Sequence, residues 1–189
     1  METSHASTEV RDRYRRIADG FELRLAKLSP DQLSLPTPCT DWDVAALVAH
    51  VITTHRRVAA QGGGSEAAGA DSGGDLALQW REARALITGA LADPTRAGKT
   101  VSGMFGEQSF ESLVSRLLCA DTLFHTWDLS WATGQDEHLD EEACELALRF
   151  LEPLDDAIRR PGGFAAKISP QPGADVQTRL LNFGGRATD

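Results

Sequence analysis

The chain has 189 residues, 41% of them hydrophobic, with a formal net charge of −9 and an isoelectric point near 5.0. That length predicts a single domain over residues 1–189 with enough apolar content for a sizeable core. The acidic balance argues against a nucleic-acid-binding protein, since the one cationic run, RDRYRR at residues 11–16, reads as the solvated face of a first helix.

No apolar run reaches the roughly 18 residues of a membrane span, and the N-terminus lacks the apolar segment of a signal peptide. Cys39, Cys119 and Cys144 are an odd number without clustered spacing, which argues against a disulfide framework. A soluble cytoplasmic protein is the expectation.

Residues 1–5 read as a disordered start. Over residues 7–28, Val10, Tyr14, Ile17, Phe21, Leu25 and Leu28 keep the 3–4 spacing of an amphipathic helix, ended by Ser29-Pro30. Pro36 and Pro38 hold an extended connection. Thr40 followed by Asp43 resembles a capping box and predicts a second helix over residues 41–60. Stepping about 100° per residue from Val44, His55 falls within the apolar stripe and His50 lies near −120°, on the flank. Periodicity makes His55 the more buried histidine. It leaves open which of the two could serve as a ligand, because a flank position lets a metal meet both protein and solvent.

Residues 61–74, QGGGSEAAGADSGG, have no apolar anchor and read as a flexible loop, not a phosphate-binding one, because no Gly-Lys-Ser/Thr closes it. Asp75 can cap a third helix to residue 91, with Trp80, Ala83, Ile87, Ala90 and Leu91 on one side and Asp93-Pro94 as its stop. Residues 95–108 read as a loop with a short extended piece at 100–102. A fourth helix spans residues 109–134, with Gly134 as C-cap. A fifth runs over residues 140–159 until Pro161-Gly162-Gly163, and the tail carries a short extended stretch and a small helix at 174–183. No strand pattern is sustained. The expected fold is all-α, a four-helix bundle with a short C-terminal appendage.

The fourth helix carries the chemistry. Counting from Phe110 at zero, its apolar stripe spans roughly −60° to +60°, and Asp121, His125 and Asp128 all fall on that face. Burying an unpaired carboxylate is costly, so these groups need compensation. Asp121 and His125 stand one turn apart and could form an ordinary buried hydrogen-bonded pair. They could equally be ligands to a divalent metal of the zinc or nickel type, completed by a third residue from elsewhere. Asp128 could orient the His125 imidazole or face solvent. Cys39, before the second helix, could be activated by that helix's N-terminus, but with nothing basic adjoining it in sequence it reads rather as a buried structural cysteine than a catalytic one. Trp42, Trp127 and Trp131 read as core anchors, one of them lining the site.

Two stretches, LPTPCTDWDVAALVAH (residues 35–50) and DTLFHTWDLSWATGQD (residues 121–136), resemble the actinobacterial metal-binding branch of the DinB/YfiT-like superfamily. That branch is related to the N-terminal domain of mycothiol-dependent maleylpyruvate isomerase. The LLNFGGR tail looks similar as well. The resemblance implies a DinB-like bundle with one divalent metal, zinc or nickel, held by His50, Asp121 and His125. It thus chooses His50 over His55, with Asp121 standing where many members carry Glu or His.

Three protein ligands leave a coordination position for water, thiol or substrate, the arrangement of a catalytic site. The expected function is a metal-dependent thiol transferase or thiol-dependent isomerase. The resemblance implies mycothiol as cosubstrate, a small-molecule substrate and a homodimer. A non-enzymatic metal-binding or stress-responsive module with a vestigial site is the alternative.

Overall fold

The computed structural model describes residues 2–64, 68–103, 106–159 and 164–188, with side chains described from residue 8 onward. Four long helices form the bundle: α1 (Glu2–Leu25), α2 (Val44–Gln61), α3 (Leu76–Ala92) and α4 (residues 110–133). α1 packs against α3 and α4, and α2 packs against the same two, so α1 and α2 occupy opposite corners. α5 (Glu141–Leu151) lies on α4, and the tail helix α6 (Val176–Phe183) lies on α5. The all-α expectation holds, and the fold is consistent with a DinB-like bundle. Among the described residues no helix is long and apolar enough to cross a membrane.

Local chemistry explains most helix boundaries. The carboxylates of Asp43, Asp75, Asp140 and Asp175 accept the N–H groups of Ala46, Leu78, Ala143 and Thr178, each capping a helix start. The cap of α2 is therefore Asp43 rather than Thr40, and the helix begins later than the capping-box reading predicts. Residues 39–42 instead form a turn, with Trp42 N–H donating to the Cys39 carbonyl at 2.8 Å. α4 ends at Gly134, whose φ of 66° is the left-handed conformation a C-cap favours. Tyr14, Phe21, Leu47, Ile52, Trp80, Ile87, Phe110 and Leu118 fill the core between the four helices.

Several expectations change. The α1 backbone is helical from Glu2, against the expectation of a disordered start, and it ends at Leu25; Met1 lies outside the described residues. The extended piece at residues 100–102 pairs with a second strand, giving an antiparallel hairpin of Thr100–Gly103 and Gly106–Ser109. The fifth helix is regular only to Leu151, where Pro153 interrupts it, and the segment stays helical beyond as a 3-10 turn Glu152–Leu154 and a short α-helix Asp155–Ile158. The expected stop at Pro161-Gly162-Gly163 lies outside the described residues. Part of loop 61–74 also does, but its second half is anchored on α2. Ala70 N–H donates to Thr53 Oγ1 at 2.9 Å and Arg56 donates to the Gly69 carbonyl at 3.1 Å. Trp127 is buried as expected, whereas Trp131 is 50% exposed.

Within α4, residues Val114–Leu118 form a π turn, in which Cys119 N–H reaches the Val114 carbonyl. The extra residue sets everything after it back by roughly 100° relative to uniform helical stepping. Beyond this turn, Asp121 stands opposite His50 of α2.

Candidate metal centre

The site lies where the middle of α2 meets the middle of α4. His50 Nε2 approaches Asp121 Oδ1 to 3.4 Å, and His125 Nε2 approaches the same oxygen to 3.7 Å. The His50 and His125 rings meet edge to face at 4.9 Å between centroids. Candidate ligand atoms of the three residues all lie within 4.8 Å of one another. Two donors bound to one tetrahedral zinc at about 2.0–2.1 Å would stand about 3.4 Å apart, close to the separations seen here.

The donor chemistry fits a cation. Asp121 Oδ2 is enclosed and has no hydrogen-bond partner, although a buried carboxylate oxygen ordinarily has one. Burial alone would raise the Asp121 pKa, but the neighbouring His125, His50 and His55 hold it below the usual value. Burial likewise disfavours a charged His125, yet the Asp121 charge and the hydrogen bond to Asp128 outweigh it and raise its pKa to about 10. Without a cation, the carboxylate therefore attracts a proton onto His125. A divalent ion would replace that proton as counter-charge. One side of the centre stays open, with the His50 side chain 30% and the Asp121 side chain 19% exposed.

His55 lies outside this group. It is fully buried, with its ring edge-on to Trp80 at 4.7 Å and Nδ1–H donating to the Val51 carbonyl at 2.8 Å. Burial lowers its pKa to about 4. Trp42 is the tryptophan that borders the site, its ring 4.4 Å from that of His50 and 5.7 Å from that of His125.

Behind the centre, Asp128 is wholly buried and faces His125 Nδ1 at 3.0 Å. That resolves its two sequence readings in favour of an acceptor for the imidazole. Burial would raise its pKa, but hydrogen bonds with His125 and Arg186 bring it to about 2. Cys39 is half-buried rather than buried, 3.4 Å from Asp128 Oδ2 and 3.4 Å from Arg186 Nη2. Its basic neighbour comes from the distant tail, which no inspection of the residues around Cys39 could reveal. Cys39, His125 and Asp128 form a second trio within 4.8 Å, but Arg186 already occupies both Asp128 oxygens. The His50, Asp121 and His125 group is the better cation site on charge alone.

Comparison with known proteins identifies relatives and a family. A protein of Mycobacterium tuberculosis, uncharacterised in strains CDC 1551 / Oshkosh and H37Rv alike, is 32% identical over 160 residues, covering 84% of this chain and 87% of its own. No solved structure matches significantly. The family described as the mycothiol maleylpyruvate isomerase N-terminal domain matches residues 14–130, which include His50, Asp121 and His125. The chain, a helical bundle related through its family to mycothiol chemistry, belongs to the mycothiol maleylpyruvate isomerase N-terminal domain family.

Proposed function

We propose that residues 1–189 act as one metal-binding domain, in which His50, Asp121 and His125 hold a divalent ion, zinc or nickel. The activity is that of a metal-dependent thiol transferase or thiol-dependent isomerase, with mycothiol as the cosubstrate. The observation that carries this reading is the convergence of two imidazoles on one carboxylate whose second oxygen is enclosed and unpartnered. Family membership supports the choice of thiol. A divalent ion at such a centre supplies the Lewis acidity that keeps a coordinated thiol in its thiolate form near neutral pH.

The chain's own residues supply the rest. Asp121 offers one negative charge against two neutral imidazoles, so a divalent ion with one thiolate would be charge-balanced. Asp128 accepts from His125 Nδ1, which leaves Nε2 as the lone-pair nitrogen facing Asp121. His50 and Asp121 border solvent and define the side from which a thiol enters. Trp42 walls that side against the two imidazoles. This open side favours a catalytic site over a sealed structural one.

The test is metal content followed by thiol binding. Protein purified without a metal-binding tag should carry close to one equivalent of zinc or nickel by elemental analysis. The cobalt-substituted protein should develop a sulfur-to-metal charge-transfer band when mycothiol is added, at a pH where the free thiol, with a pKa of about 8.5, is mostly protonated. A fully loaded cobalt protein whose spectrum is unchanged by saturating mycothiol would remove the thiol mechanism and favour a metal-binding module.

A further inference from the structure

Arg186, from the segment after α6, packs behind the candidate centre against Asp128. Arg186 donates Nε to Asp128 Oδ1 at 3.1 Å and Nη2 to Asp128 Oδ2 at 2.8 Å, a two-pronged pairing of guanidinium and carboxylate. Nη1 donates to the Gly184 carbonyl at 2.7 Å, and Nη2 also reaches Cys39 Sγ at 3.4 Å. The guanidinium lies over the Phe124 ring, 5.0 Å from its centroid. The Arg186 backbone is held too, its N–H donating to the Leu181 carbonyl at 2.9 Å and its carbonyl accepting from Asn182 Nδ2 at 2.9 Å. Arg186 lies beyond the residues 14–130 that match the family.

Arginine has only donors, so both Asp128 oxygens must act as acceptors toward it. Asp128 Oδ2 is shared with His125 Nδ1 at 3.0 Å, and that nitrogen must then carry a hydrogen. The free lone pair of the neutral ring is thereby assigned to Nε2, on the side of Asp121. Asp128 is wholly buried, so without Arg186 its carboxylate would lack a counter-charge other than His125.

We infer that Arg186 is a positioning residue of the metal centre, acting through Asp128 to fix the orientation and tautomer of His125. The inference rests on the metal reading above. It makes the C-terminal segment, remote in sequence from the three candidate ligands, part of what sets metal affinity.

The experiment measures zinc affinity by competition with a chromophoric chelator, together with the visible spectrum of the cobalt form. The proteins are wild type, Arg186→Met, Arg186→Lys, Asp128→Asn and the Asp128→Asn/Arg186→Met double variant. Loss of a group that supports a ligand weakens metal binding by about 10- to 100-fold, and Arg186→Met should fall in that range with an altered cobalt spectrum. Arg186→Lys, which restores charge but not the fork, should recover part of the loss. In the Asp128→Asn background, Arg186→Met should cost less than about 2-fold more, because contacts acting through one residue are not additive.

Should Arg186→Met leave an unpaired buried carboxylate that prevents folding, Arg186→Lys and the double variant carry the test. Zinc affinity and cobalt spectrum unchanged in the Arg186 variants, with only the melting temperature lowered, would overturn the inference. So would an Arg186→Met loss equally large with and without Asp128. A wild type that binds no zinc overturns the inference together with the metal reading, whereas a wild type that binds zinc with Arg186 variants unaffected overturns the inference alone.

Discussion

Gly184 packs against Phe124 with no room for a side chain. A Cβ at Gly184 would lie 2.9 Å from Phe124 Cζ and closer still to Cε1. The backbone at Gly184 has φ of −78°, which any residue adopts, so the demand for glycine here is contact and not conformation. Phe124 is itself buried, and its ring also supports Phe164 and the Arg186 guanidinium. Gly184→Ala should therefore destabilise the fold by about 1–3 kcal/mol, the usual cost of overpacking, in urea unfolding. Phe124→Leu in the same chain should recover part of that loss. An alanine variant as stable as wild type would mean that the turn shifts freely.

The candidate ligands and the neighbouring core histidine should separate cleanly. His50→Ala, Asp121→Ala and His125→Ala should each sharply reduce bound metal while leaving the far-ultraviolet helical signal near that of wild type. The bundle has its own apolar core, so the ion adds stability by mass action and does not make folding possible. His55 fills space against Trp80 and Tyr14, and His55→Ala should instead lower stability by about 2–4 kcal/mol, as core truncations do, with metal content retained. The reverse pattern, metal lost with His55→Ala and kept with His50→Ala, would show that the flank histidine is not the ligand.

His55 also predicts a pH dependence. Tyr14 from α1, Trp80 from α3 and Asp121 from α4 surround it, and burial lowers its pKa from 6.5 to about 4. The folded state binds this proton less readily than the unfolded state. The contribution of neutral His55 is thus fully present above pH 6.5 and is lost as the pH falls from 6.5 toward about 4. The loss should amount to about 3 kcal/mol across that window. Urea unfolding of metal-free protein at a series of pH values should show this slope, and His55→Leu should remove it. The Asp128 contribution is lost only as the pH falls further, from 3.8 toward about 2, so the two effects occupy separate windows. Parallel stability curves for wild type and His55→Leu would contradict the assignment.

The sequence by itself determined the main helices, the Asp75 cap of α3 and the shared turn of Asp121 and His125. Each is a local property, written in the 3–4 spacing of apolar residues or in one carboxylate three residues ahead of an N–H group. Periodicity likewise identified His55 as the buried histidine of α2, which its packing against Trp80 bears out. Resemblance, not periodicity, singled out His50. Only the tertiary structure decided which groups meet. Asp121 meets His50 beyond the π turn at Val114–Leu118, an insertion that a uniform step of about 100° per residue does not include. The same holds for the exposed Trp131 and for Arg186, which reaches Asp128 across 58 residues. Its place beside Asp128 depends on α6 docking on α5 and on Gly184 fitting against Phe124, contacts between distant segments that no local spacing encodes.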